Sequence, residues 1–292
     1  MGTKGVDFMQ KIALITDSAS DISLDIVQKY NIHVLPFRII YSNREYRDGV
    51  DITPDEVYAS LSEEVPTSSL PSMKDMEELY ELIKAEGYTH VIATTVSAGL
   101  SGINNALRLV SEDYPEIKSC IFDSKSISKA EAILIEEAGR MRDQGMDFEA
   151  IVATLPSIRK KIDIYLILDT LEYLMKGGRI GRVAGTIGSM LKLKPIIRVA
   201  EDGKYSTYDK VRGRKQSLKK VIEMGKDMIN RDCKVMLVHG SAKEELLKIY
   251  EELKEYSEIA QKGEIHMYGN ISIVSGVHSG PGFIGIGSYE RV

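Results

Sequence analysis

The sequence predicts an α/β protein of two domains. The first, residues 11–160, is a three-layer α/β/α domain with a mainly parallel sheet. The second, residues 161–292, is an α+β domain with a mainly antiparallel sheet. Three observations carry this. The first half alternates short apolar runs with helical stretches, the order of a parallel sheet covered on both faces. The second half holds two strand-like runs joined by an Asp-Gly turn, then a tail rich in Gly and β-branched residues. And 292 residues are more than one core of common size organises.

Residues 1–10 are polar and unpatterned and read as an extension ahead of the first strand, 11–16. A helix follows over 23–30, then a strand-like run over 32–41. Thr53-Pro54-Asp55-Glu56 is a helix start, with Thr as cap, Pro at the first helical position and Glu at the third. A helix over 73–85 is stopped by Gly87. Strand 90–96, helix 102–111, strand 117–122 and helix 129–144 complete the alternation, and a helix over 149–162 leads out of it. Strand 164–169 opens the second half. Runs 194–199 and 204–211 flank Ala200-Glu201-Asp202-Gly203 as a hairpin. Run 235–239 is a strand between two amphipathic helices, and 271–287 reads as sheet.

Composition excludes several classes. A net charge of -5 argues against nucleic acid as a partner. No apolar run reaches the roughly 18 residues of a membrane span, and no signal-peptide core is present, so a cytoplasmic protein without stable membrane insertion is expected. Cys120 and Cys233 stand apart from any C-x-x-C pair and read as buried free thiols. No H-E-x-x-H or Walker A pattern exists, so neither a metal nor a cofactor is expected.

Candidate site residues cluster at the carboxyl ends of the predicted strands, where ligands of such sheets bind. Two hydroxyl-rich turns stand out, Pro66-Thr67-Ser68-Ser69-Leu70-Pro71-Ser72 and Ser97-Ala98-Gly99-Leu100-Ser101-Gly102. Each precedes a helix, and a helix start offers free N–H groups and the positive end of a dipole to a phosphate or carboxylate. Thr67, Ser68, Ser72, Ser97 and Ser101 serve equally as plain helix caps. Four histidines sit in strand-like runs as packing residues. His278 instead lies in the Gly-rich turn Val277-His278-Ser279-Gly280-Pro281-Gly282, suited to a polar role. Ser101, His278 and Asp17 offer the residue types of a hydrolase triad, without a G-x-S-x-G elbow. Two basic clusters, one around Arg179 and Arg182 and one holding Lys210, Arg212, Arg214 and Lys215, suit an acidic partner protein or a phosphate, or form a solvated surface. Residues 185–195, apolar with small residues interleaved, read as core or as the wall of a cavity.

At these residues the chain resembles the DegV family, over residues 11–289. The matching motifs are Thr16-Asp17-Ser18-Ala19, the two hydroxyl turns, Phe122-Asp123-Ser124, Gly177-Gly178-Arg179-Ile180, Lys194-Pro195-Ile196, Lys210-Val211-Arg212 and His278-Ser279-Gly280-Pro281-Gly282. The resemblance implies a non-enzymatic protein that holds one long-chain fatty acid, such as palmitate, stearate or oleate, between two domains. Members include the subunit that presents the carboxylate to a separate ATP-dependent kinase subunit and carries the acyl phosphate to phospholipid synthesis. By resemblance Ser68 and Ser101 are the carboxylate ligands, with Thr67, Gly102 and His278 beside them. Arg179 maps to the family arginine that engages the kinase, and Arg212 and Arg214 join it as partner-binding residues. The chain departs from the family in the first turn, which usually reads Thr-Ser-Gln-Pro, and in the second, where Ala98 and Ile103 replace Ser and Thr.

Overall fold

All six residues of Ile12–Asp17 are buried, as in a strand covered on both faces, and the first half is arranged around this strand, β1. A computed structural model describes residues 10–189 and 193–290. Residues 1–9, read as an extension, and 190–192, within the apolar run, lie outside the described residues.

From β1 the chain passes through α1 (Leu24–Tyr30) to β2 (Ile32–Leu35), parallel to β1. The single strand expected over 32–41 is broken at Pro36, which offers no amide to a ladder. Beyond it, β3 (Arg38–Ile40) starts a separate antiparallel sheet with β4 (Glu45–Arg47). In α2 (Pro54–Ser60) the expected capping box is present, with Thr53 and Glu56 each accepting the other's N–H. The first hydroxyl-rich segment is a strand rather than a turn: β5 (Thr67–Ser69) pairs with β3. Capping of α3 (Met73–Ala85) is left to Ser72. Then come β6 (His90–Thr95), α4 (Ile103–Glu112), β7 (Lys118–Asp123), α5 (Lys129–Asp143) and α6 (Phe148–Arg159).

The parallel sheet runs β2-β1-β6-β7. Its order reverses between β1 and β6. Right-handed crossovers therefore place α1 and α4 on opposite faces, giving three layers and a crevice at the reversal.

The helix expected over 149–162 ends at Arg159, and Ile162 already starts β8 (Ile162–Ile167). After α7 (Glu172–Lys176), β9 (Leu193–Val199) and β10 (Tyr205–Arg212) form the expected hairpin, with Gly203 at φ +78°. The chain continues through α8 (Gly213–Asn230), β11 (Lys234–Gly240), α9 (Lys243–Ala260), β12 (Glu264–Asn270), α10 (Ile273–Ser279) and β13 (Phe283–Tyr289). The sheet order is β10-β9-β8-β13-β11-β12, antiparallel except for the pair β11–β12. Side chains alternate between its faces. Ile167, Ile196 and Leu237 join the core with Val221 of α8 and Leu246 of α9. Leu166, Ile197 and Met236 face the other way, into the larger core shared with β1 and β6. Residues 271–287, expected as sheet, are α10 plus β13, and β12 was not foreseen.

Two distant carboxylates hold α10 in place. Asp48 accepts the N–H of Ile273 at 2.9 Å and of Val274 at 3.1 Å, and Asp21 that of Ser272 at 2.6 Å. Asp17 lies close by, accepting from Ala19 and Val96, and Glu131 accepts from the Thr16 hydroxyl. Burial outweighs these bonds. It pushes Asp17 up to about 7 and Asp48 up to about 6, and raises Asp21 and Glu131 too.

A carboxyl whose pKa is higher folded than unfolded takes up a proton on folding. Its contribution to stability is then lost as pH rises through the folded pKa. His33, His90, His239 and His278, depressed by burial, act in the opposite sense as pH falls below about 6.5. The thermal midpoint is therefore expected to rise between pH 8 and pH 6.5. Calorimetry across that window checks this, and a flat or falling midpoint would show that the carboxyls are solvated.

Candidate functional site

At the crevice between β1 and β6 the loop ends of the parallel sheet meet one face of the six-stranded sheet and the side of α10. Between them is a narrow cavity, partly open to solvent. Its walls are mostly apolar: Val96 and Leu100 after β6, Leu166 and Leu168 of the β8 segment, Ile197 of β9, Leu174 of α7, and Phe283 of β13. Ser68, Ser101, Arg179 and His278 supply a polar end.

Each polar residue comes from a different element. Ser68 projects from the edge strand β5, and its Oγ lies 2.8 Å from His278 Nε2. Ser101 stands in the turn ahead of α4, its Oγ accepting weakly from Ile103 N–H at 3.4 Å. Arg179 is exposed at the rim. Its Nε donates to the Leu100 carbonyl at 3.3 Å and its Nη1 to the Gly177 carbonyl at 2.8 Å, joining the two halves of the chain.

His278 is not in a turn, as expected, but in the last turn of α10. Burial, and then the positive charge of Arg179, hold its pKa down at about 4, so it is neutral at pH 7. Its Nδ1 has no hydrogen-bond partner among the described residues. Gly177 makes room for the ring, since a Cβ there would stand 2.0 Å from Nδ1.

Other expected residues lie elsewhere. Thr67 and Gly102 are exposed and outside the cavity wall. Ser97 docks the β9–β10 hairpin, its buried Oγ donating to the Gly203 carbonyl at 2.7 Å. Gly99 packs on the same residue, where a Cβ would come within 2.5 Å of the Gly203 carbonyl. Arg212 is exposed at the start of α8, and Arg214 is paired with Glu245. Neither lines the cavity. The hydrolase constellation is not assembled. Both oxygens of Asp17 are taken by backbone N–H groups, and no acid orients His278 among the described residues.

The sequence reading missed Tyr205 and Ser128 in the wall and Asp21, Asp48 and Glu131 behind it; of that buried carboxyl group it named Asp17 alone, and in another role. The Thr16-Asp17-Ser18 segment was the one available signal. No described helix is long and apolar enough to cross a membrane.

Comparison with known proteins agrees with this architecture. A family model described as an uncharacterised protein of the DegV family matches residues 11–291. A DegV domain-containing protein of Clostridium acetobutylicum is 49% identical over 284 residues, 97% of this chain and 100% of that protein. A fatty-acid-binding DegV family protein of Streptococcus agalactiae superposes with a TM-score of 0.87 at 29% identity, covering 97% of this chain and 100% of that one. A stearic-acid-binding protein of Eubacterium ventriosum superposes with a TM-score of 0.84 at 30% identity, covering 97% and 98%.

The contact between Gly177 and His278 yields a prediction. In Gly177→Ala the methyl group displaces the imidazole from Ser68 towards solvent. The His278 pKa is then expected to rise from about 4 towards the ordinary 6.5. An NMR titration of the imidazole protons reads this directly, and an unchanged pKa would show that the ring keeps its place.

Proposed function

This chain belongs to the DegV family, and we propose that it binds one long-chain fatty acid in the cavity and presents the carboxylate to a separate ATP-dependent kinase subunit, which forms the acyl phosphate used for phospholipid synthesis. The observation that carries this reading is one apolar cavity ending in Ser68, Ser101, His278 and Arg179. The bound stearic acid of the Eubacterium ventriosum relative supports it.

The chemistry fits. About 14 methylenes at about 0.8 kcal/mol each contribute on the order of 11 kcal/mol before association entropy is subtracted. Binding therefore does not depend on an internal ion pair. Hydroxyls and a neutral imidazole fix the direction of the chain and leave the carboxylate reactive. Arg179, exposed at the rim, is the residue available to a partner. Arg212, exposed and away from the cavity, extends the basic surface that an acidic partner would contact, whereas Arg214, half-buried and paired with Glu245, would have to give up that pair to join it. The chain supplies no catalytic group in this scheme.

Protein purified from a bacterial host should release a long-chain fatty acid on denaturing mass spectrometry. Empty protein that also fails to take up oleate or palmitate would sink the reading. Ser101→Ala, which removes one hydroxyl contact, should weaken oleate binding by about fivefold, the equivalent of ~1 kcal/mol. Arg179→Gln, which removes the rim charge without adding a negative one beside the ligand, should leave lipid content largely unchanged and abolish acyl-phosphate formation by the kinase subunit. Lipid loss in that variant would place Arg179 in ligand retention instead.

A further inference from the structure

Buried carboxyls stand directly behind the cavity wall. Asp17 accepts from the N–H groups of Ala19 and Val96, Asp21 from the Ser128 hydroxyl, and Asp48 from the Val274 N–H. All four of these donor residues line the cavity. Glu131, buried on α5, completes the group. Its Oε1 accepts from Thr16, while Oε2 has no partner among the described residues.

The groups facing these carboxyls come from several elements. Lys129 on α5 donates from Nζ to the Asp21 carbonyl and is itself flanked by Asp25, Glu136 and Lys234. Tyr58 on α2 and Tyr205 on β10 come within range of Asp21, and burial raises both phenols further from ionisation. At the polar end stand Arg179 and the neutral His278.

Carboxyls crowded into one desolvated volume cannot all be ionised, so they share protons. A carboxylate ligand pushes this equilibrium in one direction by two routes. It fills the cavity in front of the group with hydrocarbon, a medium of low dielectric constant, and it adds a negative charge. Val274 and His278 lie one helical turn apart on the same face of α10. The carboxyl group and the polar end are thus on the order of 10 Å apart. At that range, with an effective dielectric constant near 20, one charge moves a carboxyl by about one pH unit.

We propose that filling the cavity with a carboxylate ligand is linked to proton uptake by this carboxyl group, so that the ligand is bound together with about one proton. The inference rests on the fatty-acid reading of the cavity and states how the ligand's charge is accommodated. Asp17 and Asp48, held by burial at about 7 and about 6, place the exchange between pH 6 and pH 8. Affinity should then rise by roughly threefold to tenfold from pH 8 to pH 7.

The test is titration calorimetry of delipidated protein with oleate at pH 7, in phosphate, HEPES and Tris. The slope of observed heat against buffer ionisation enthalpy counts the protons taken up. A slope of about half to one proton is expected, with the bound oleate's carbon-13 carboxyl resonance at its ionised position. A zero slope with intact binding heat overturns the proposal. So does uptake accompanied by a resonance at the protonated position, which puts the proton on the ligand. Asp48→Asn should lower the slope. Because that variant removes an acceptor from α10 and can fail to fold, the wild-type slope decides. Absence of binding heat in every buffer, from protein that also yields no extracted lipid, overturns the fatty-acid reading itself.

Discussion

The N-terminus of α10 hangs on two carboxylates from the far end of the chain, and the site depends on that attachment. Ser272, Ile273 and Val274 give their N–H groups to Asp21 and Asp48, across sequence separations of 225 residues and more. A seven-residue helix of β-branched residues, serines and a glycine is far too short and too poor in helix formers to persist alone. Its first amides are buried, and leaving each unpaired costs about 1–3 kcal/mol. The halves of the molecule must therefore close on each other for this helix to exist. Once it exists, its geometry places His278 one turn beyond Val274, where the ring meets Ser68. Gly177 and Arg179 pack around that meeting point.

A neutral cap such as serine would satisfy part of the same helix end without burying charge. Asp17, Asp21, Asp48 and Glu131 are all raised in pKa with burial as the first cause, so desolvation outweighs the hydrogen bonds they accept. Their arrangement is therefore not the one that maximises stability. Perturbed groups of this kind collect where a fold does chemistry or binds, and here they back the cavity wall.

What was legible in the sequence follows the same division between local and distant causes. Thr53 with Glu56, Ser72 with the helix at Met73–Ala85, and the Asp202-Gly203 hairpin are fixed by neighbours within a few positions, and each stands where expected. The alternation of the first half gave the parallel sheet because β1 and β6 are buried almost throughout. By contrast, α10 has local preferences for strand and is helical because of Asp21 and Asp48. The strand Glu264–Asn270 mixes charged, apolar and glycine residues without alternation, and its pairing with β11 decides it. At the site, Ser68, Ser101 and His278 do share one cavity. Yet Ser68 arrives on an edge strand rather than at a helix start, because β3 offers a free edge before α3 begins. Ser97, in the same turn as Ser101, holds the hairpin tip, a role visible only once Gly99 and Gly203 are seen in contact.

The distribution of charge at the polar end bears on the proposed reaction. Among the described residues, the one full positive charge contributed to the cavity wall, on Arg179, is at the exposed rim, while the interior groups are hydroxyls and an imidazole kept neutral by burial. A carboxylate gripped by a buried cation would be bound tightly and made a poor nucleophile. Hydroxyl and imidazole donors hold it at a net strength of about 1 kcal/mol each, leaving the oxygen electron-rich. In the proposed reaction the guanidinium at the rim is the group that would meet phosphoryl charge, since a planar fork of donors suits phosphate oxygens. Weak neutral contacts inside and one strong cation outside is the order expected of a protein that must bind an acid, let a partner modify it, and still release the product.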